Sequence, residues 1–313
     1  MAAVDAGYWK VLEARPKEAG AAKVICLANQ KGGVGKTTTA VNVGAALALS
    51  GHRVIVVDVD PQANATTGLG LDHRIAARST YDLLLEEAGL DDVAVPTGIE
   101  GLDCVPGSPD LAGAEVELVV ADGRERKLAA AIEAARSHYD FVFLDCPPSL
   151  GLLTVNALAA ADDLIVPVQC EYYALEGLGQ LLGTADRIRR TLNPALRISG
   201  FVLTMYDART KLAGQVADDI RAHFPDLAFE TVIPRSVRLS EAPSFGEPVV
   251  TLDPSSRGAR AYRRLAEELE ARYRPPAPPP PAPVPGPAGR GYGTVAPEPP
   301  HLEDTWPRSA PWQ

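Results

Sequence analysis

Gln30-Lys31-Gly32-Gly33-Val34-Gly35-Lys36-Thr37-Thr38 is the stretch whose reading decides the fold of this chain. Ahead of it runs Val24-Ile25-Cys26-Leu27-Ala28, an apolar run of strand length. Behind it, from Thr39 to Leu49, apolar residues recur at helical spacing in an alanine-rich segment. Strand, glycine-rich turn and helix together make the setting that a phosphate-binding loop requires. Gly32, Gly33 and Gly35 let backbone N–H groups turn inward around phosphate oxygens, where a Cβ would stand in the way. A helix starting near Lys36 adds the positive end of its dipole. Lys36 has the reach for the β- and γ-phosphates of a nucleotide, and the Thr37 hydroxyl is of the kind that ligates Mg²⁺.

Working outward, 53–58, 141–145, 164–168 and 198–204 are nearly continuous apolar runs separated by helical patterns. Such alternation signals an α/β fold with a mostly parallel twisted sheet covered by helices on both faces. In an open sheet of this kind the loops at strand carboxyl ends build the ligand site. Asp60, in Asp58-Val59-Asp60-Pro61-Gln62-Ala63-Asn64, therefore arrives beside the phosphates, with Asp58 expected to sit behind it. Phe141-Val142-Phe143-Leu144-Asp145 ends four apolar residues in an acid, the Walker B form, which makes Asp145 a Mg²⁺-holding candidate through water or Thr37. Helices are further expected at 80–87, 123–137, up to 192, up to 224, and at 258–273, with strands at 102–105 and 229–233.

Composition bounds the rest. With 313 residues, 46% hydrophobic and 22% charged, the chain is long enough to bury a substantial core in one domain or in two small ones. Cys26, Cys104, Cys146 and Cys170 form no C-x-x-C pair and lie in or beside apolar runs, as reduced core residues of a cytoplasmic protein do. No signal peptide and no apolar stretch of about 20 residues is present, so no membrane association is expected. The net charge of −10 excludes broad attraction to nucleic acid but not a local basic patch. Arg209, Lys211, Arg221, Arg235, Arg238, Arg257, Arg260, Arg263 and Arg264 all fall in the last third of the expected domain. Three segments are expected: a mobile leader at 1–21, the α/β domain at 22–274, and a proline-dominated disordered tail at 275–313. The tail either docks a partner, through its prolines or Trp306 and Trp312, or simply solubilises the chain.

The loop departs from G-x-x-x-x-G-K-[ST], carrying Gln30 where that pattern has glycine and a second lysine, Lys31, near its start. Together with Asp60-Pro61-Gln62, Cys146-Pro147-Pro148-Ser149-Leu150-Gly151 and Glu171-Tyr172-Tyr173-Ala174-Leu175-Glu176-Gly177, this deviant Walker A loop resembles the ParA/Soj family of chromosome-partitioning ATPases over residues 22–273. The resemblance implies a P-loop NTPase fold and an ATP- and Mg²⁺-dependent hydrolase of low intrinsic turnover. It implies that residues 31–38 cradle the nucleotide, Thr38 included, and that Lys31 reaches across a homodimer to the partner's nucleotide. Asp60 is then the catalytic residue that positions water, and Pro234 and Arg235 contact the adenine. Arg209 and Arg238 match positions that contact DNA, without sequence preference, in the ATP-bound dimer. A ParB-like centromere-binding partner and nucleoid association complete the expectation. Two relatives offer other readings. A MinD-like protein would need a basic amphipathic terminal helix, which the proline-rich end lacks. A protein like the nitrogenase iron protein would need exposed cluster-holding cysteines, and Cys146 has no evident second ligand loop.

Overall fold

The computed structural model describes residues 22–72, 74–85, 88–171 and 176–273; the expected leader and tail lie outside them. Seven strands form one sheet: β1 (Lys23–Leu27), β2 (Val54–Asp58), β3 (Val95–Pro96), β4 (Leu102–Val105), β5 (Phe141–Asp145), β6 (Asp163–Gln169) and β7 (Arg197–Thr204). Their order is β3-β4-β2-β5-β1-β6-β7, parallel throughout except for the β3–β4 pair. Both faces are buried, which is why these strands read as continuous apolar runs rather than alternating ones.

The two-residue period of a strand divides its side chains between two cores. Val24 and Cys26, Ile55 and Val57, Val142 and Leu144 face one core. Ile25 and Leu27, Val54 and Val56, Phe141 and Phe143 face the other. The helix Lys36–Leu49 belongs to the second core and packs against the last helix, Arg257–Tyr273. It is buried almost all round, and a Cβ at Gly44 would lie 3.3 Å from Val56 Cγ2, so small residues let it approach β2 closely. Leu152–Ala160 and Glu176–Thr191 cover the opposite face through Leu153, Leu158, Leu181 and Leu182.

The register carries the functional consequence. Leu27 pairs with Asp145, and Asp145 pairs with Asp58. The phosphate-loop candidate, the Asp145 carboxylate and the Asp58 loop therefore leave the sheet side by side at its carboxyl edge.

Several elements differ from expectation. Residues 229–233 are not a strand: isolated bridges at Phe201–Ala228 and Tyr206–Pro234 flank the segment, and the Phe229 and Ile233 amides donate to the Phe201 and Leu203 carbonyls of β7 at 3.0 and 2.8 Å. The amides of Glu230 and Thr231 donate instead to the Glu268 carboxylate, at 2.9 and 3.1 Å, which interrupts the ladder. The helix expected from 123 begins at Lys127 and ends in a 3₁₀ turn at Ala134–Ser137. Asn156 holds the irregular start, accepting from the Leu128 amide and donating to the Arg124 carbonyl. The helix expected over 80–87 is described as Thr80–Leu84, with residues 86 and 87 outside the described set. The edge strand β3 and the helices Asn64–Gly68, Leu111–Leu118 and Leu152–Ala160 were not foreseen.

Candidate nucleotide site

The loop between β1 and the following helix takes its shape from two glycines. Gly33 and Gly35 adopt φ of 73° and 89°, the left-handed region that a side chain disfavours. Neighbouring strands pin the loop from below. Asn29 Nδ2 donates to the Pro167 carbonyl at 2.8 Å, its Oδ1 accepts from the Lys31 amide at 3.0 Å, and Thr204 Oγ1 donates to the Val34 carbonyl at 2.8 Å. Val34 is accordingly a buried prop rather than part of the cleft wall. The two lysines have opposite fates. Lys36 starts the helix and is 6% exposed, whereas Lys31 is exposed and carries no ion pair among the described residues. Burial pushes the Lys36 ammonium's pKa down, and the nearby Asp145, Cys146 and Asp60 oppose that fall.

Asp58, wholly buried at the end of β2, organises the next loop. Its carboxylate accepts from the Thr66 amide at 2.8 Å, the Thr66 hydroxyl at 2.7 Å and the Asp60 amide at 3.2 Å. The Thr66 oxygen accepts in turn from the Gly107 amide at 2.9 Å. Burial raises the Asp58 pKa to about 6 despite these bonds. The expectation that Asp58 stands behind Asp60 matches this geometry. Asp60 lines the cleft, and its Oδ1 accepts from the Gln62 amide at 2.9 Å. Ala63, whose amide donates to the Asp60 carbonyl, sits at φ 51°, a left-handed conformation uncommon for alanine.

Asp145 is buried, and neither carboxylate oxygen has a hydrogen-bond partner. Burial, then the Asp58 charge, pushes its pKa well up, while the neighbouring Thr37 hydroxyl and Lys36 pull it back. A buried carboxyl group whose oxygens have no hydrogen-bond partner, beside Lys36 and the Thr37 hydroxyl, is a donor set that suits a hard divalent cation such as Mg²⁺. The described residues contain no group of three or more His, Cys, Asp or Glu side chains arranged around a metal. A cation here would thus take few protein ligands, as Mg²⁺ at a nucleotide usually does.

Gly32, Gly33, Gly35, Lys36, Thr37, Thr38 and Asp60 line a cleft of about 530 Å³ together with Met205, Pro234, Arg235, Leu239 and Pro243, whereas Lys31, Asp58 and Asp145 are not part of its lining. The expected base contacts Pro234 and Arg235 therefore share one cavity with the loop residues. Thr66, Thr204, Asn29 and Gly107, which hold the loops in place, carry no local motif that would have identified them. Arg209 and Arg238 lie on the surface outside this cleft. Arg209 is held by Asp207 at 2.7 Å, and Arg238 by Glu241 at 3.2 Å and Asp253 at 3.5 Å. All four cysteines are buried, with Cys26 and Cys146 Sγ atoms 3.4 Å apart, which leaves no exposed thiol for an iron–sulfur cluster. No helix among the described residues is long and apolar enough to cross a membrane.

An AAA domain model matches residues 22–198. The chain is 53% identical over 249 residues to the sporulation initiation inhibitor protein Soj of Bacillus subtilis, covering 80% of this chain and 98% of that one. It is likewise 53% identical over 254 residues to the chromosome partitioning protein ParA of Caulobacter vibrioides, covering 80% and 95%. Among solved structures, a Mycobacterium smegmatis protein described as cobyrinic acid a,c-diamide synthase, with bound ATP analog and magnesium, aligns with a TM-score of 0.71. It is 39% identical, over 80% of this chain and 96% of that one. The cell division ATPase MinD of Pyrococcus furiosus aligns with a TM-score of 0.68 at 29% identity, over 80% and 99%.

Proposed function

The chain belongs to the Soj/ParA family of chromosome-partitioning ATPases, and from that premise we propose that it hydrolyses ATP, with Mg²⁺, to time its attachment to DNA. Two ATP-bound subunits close into a homodimer that binds DNA without sequence preference. Hydrolysis, slow alone and stimulated by a ParB-like centromere-binding protein, opens the dimer and releases the DNA. The observation that carries this reading is the pairing of a buried Lys36 with an exposed Lys31 on one loop facing Asp60.

Each residue has a part. The amides of residues 31–38 cradle the phosphates, and Lys36 neutralises the β- and γ-phosphate oxygens. Thr37 and Asp145 hold Mg²⁺, directly or through water; the ion draws charge off the phosphates when bound. Asp60 orients a water whose oxygen bonds to the γ-phosphorus as the bond to the β-phosphate oxygen breaks. Pro234 and Arg235 flank the adenine. Lys31 reaches the partner's nucleotide, so closure and catalysis are one event. Arg209 and Arg238 contact DNA phosphates, which makes binding salt-sensitive, and doubling the contacts in a dimer multiplies affinity. The protein then resides on the nucleoid in the cytoplasm. A MinD-like membrane role is the weaker reading, because partitioning relatives match at 53% identity and the MinD structure at 29%. Liposome co-sedimentation separates the two.

The test measures DNA binding with ATP, with ADP and without nucleotide. Lys36→Gln should lose nucleotide, Asp60→Ala should stay on DNA as an ATP-bound dimer, and Arg238→Glu should bind ATP but not DNA. Lys31→Ala should remain monomeric with ATP. DNA affinity indifferent to nucleotide, or a Lys31→Ala chain that dimerises normally, refutes the proposal.

A further inference from the structure

Exposed aliphatic side chains gather at one place. Val116, Val119 and Val120 are 72%, 52% and 88% exposed, in the helix Leu111–Leu118 and the turn that continues it. The inner side of this helix, Leu111, Ala114 and Leu118, is buried in the core. The outer side carries Val116 and Val120 one turn apart as a stripe, with Val119 beside them. Single exposed aliphatics are ordinary, but a contiguous stripe marks a contact surface.

Charge frames the stripe. Asp110, Glu117 and Asp122 are exposed, and none of them forms an ion pair among the described residues. Glu117 accepts from the neutral Tyr81 hydroxyl at 3.1 and 3.2 Å. The nearby bases are engaged elsewhere, Arg124 by Glu125 and the Val119 carbonyl, Arg126 by the Leu192 carbonyl. An aliphatic stripe edged with acids fits a segment that combines large apolar residues with bases.

The leader of this chain has that chemistry. Over residues 8–17 it carries Tyr8, Trp9, Val11 and Leu12 with the bases Lys10, Arg15 and Lys17 and one acid, Glu13. The family match begins at residue 22, so the leader lies outside it. The leader also joins the fold on the right side of the sheet. Ala22 belongs to the same core as the inner side of the helix, and its amide donates to the Arg136 carbonyl at 3.1 Å. From Arg136 back to Val120 the chain runs about 15 Å along Lys127–Glu133 and its 3₁₀ end, then through a connection of at most about 24 Å. The stripe therefore lies within about 40 Å of Ala22, and the run from Ala22 back to Trp9 reaches about 43 Å when extended.

The contacts of this helix give its covering a consequence. It starts just after Gly107, which packs against Asp58 and the Asp60 carbonyl. Farther along, the Glu115 carboxyl group lies against Gly151, which opens the helix Leu152–Ala160 after the Asp145 strand. We propose that the leader docks on this helix, its apolar residues over Val116, Val119 and Val120 and its bases against Asp110, Glu117 and Asp122. Docked there, it restrains the helix that abuts both acidic loops of the nucleotide site. The inference does not depend on what the nucleotide cycle drives.

The experiment uses the full chain with Trp306→Phe and Trp312→Phe, which leaves Trp9 as its one tryptophan. Acrylamide quenching reads how far Trp9 is covered. The docked residue should quench with less than half the constant of N-acetyltryptophanamide. Val116→Ser/Val120→Ser should at least double that constant, and so should Lys10→Glu/Arg15→Glu/Lys17→Glu, whose changes lie outside the folded core. Leu49→Ser, which alters an aliphatic 56% exposed on a helix of the other core, should leave it unchanged. Hydrogen exchange at the Gly107 amide should quicken in the same two multiple variants. Trp9 that quenches as fast as N-acetyltryptophanamide overturns the docking, and so does protection that either multiple variant retains. Protection that grows with protein concentration overturns docking within one chain in favour of a second copy. Trp9 set free with Gly107 exchange unchanged overturns the restraint on the site alone.

Discussion

Replacing Gly107 with alanine tests how Asp60 is held in place. Gly107 follows β4 and lies buried against the Asp58–Asp60 turn. A Cβ there would stand 2.9 Å from Asp58 Cγ, 2.9 Å from the Asp60 carbonyl oxygen and 3.1 Å from Asp58 Oδ1. Two of these contacts fall about 0.5 Å short of ordinary van der Waals distance, and neither neighbour can yield easily. The Asp60 carbonyl accepts from the Ala63 amide, and the Asp58 carboxylate is fixed by three donors. Overpacking of this kind costs about 1–3 kcal/mol, and losing the Gly107–Thr66 hydrogen bond adds about 1 kcal/mol. Gly107→Ala should therefore unfold in urea with about 3 kcal/mol less stability, and its ATP turnover should drop at least tenfold as Asp60 shifts. Gly98→Ala, which meets nothing within 4 Å, serves as the control and should match wild type. A Gly107→Ala protein within 1 kcal/mol of wild type and with normal turnover would show that this packing does not position Asp60.

Other consequences are open to measurement. The folded pKa of Asp58 lies above its ordinary value, at about 6 against 3.8, so the folded state binds this proton more tightly and stability falls as pH rises between the two. The nucleotide-free protein should lose about 1.4 kcal/mol from this group between pH 5 and pH 7.5, read by urea denaturation against Asp58→Asn. Asp145→Asn removes the buried carboxyl group that has no hydrogen-bond partner, and should abolish the rise in melting temperature that ATP with Mg²⁺ gives wild type. An equal rise for the variant and wild type would refute the assignment of Asp145 to the ion. Ala63→Gly relieves a left-handed alanine and should add about 0.5–1 kcal/mol in the same denaturation assay; a loss would show that the turn is unstrained.

What was legible in the sequence is what local chemistry encodes. Gly33 and Gly35 mark backbone conformations, and Asp60 and Asp145 follow apolar strands whose ends build the site in a parallel sheet. The residues that hold those groups were not legible, because their partners lie far along the chain. Thr204 reaches Val34 and Asn29 reaches Pro167 only once β6 and β7 are paired in register. The segment 229–233 reads as a strand because its apolar pattern is strand-like, and nothing local reveals that Glu268 takes two of its amides. Helix Leu152–Ala160 passed unnoticed because it is apolar on most of its surface, so its period is faint. The distribution of paired arginines was also invisible, since it depends on which carboxylates fold beside them.

The Glu268 clasp has one more effect. β7 is the last strand of the sheet, and the segment running beside it joins by isolated bridges rather than a continuous ladder. Such a margin invites a foreign strand to complete it, which is a route to aggregation. Here one carboxylate occupies neighbouring donors of the flanking segment, and Arg272 steadies that carboxylate at 3.2 Å while donating to the Ser199 and Ala228 carbonyls. The border is sealed by side chains, so copies of the chain at high local concentration are kept from zipping together edge to edge.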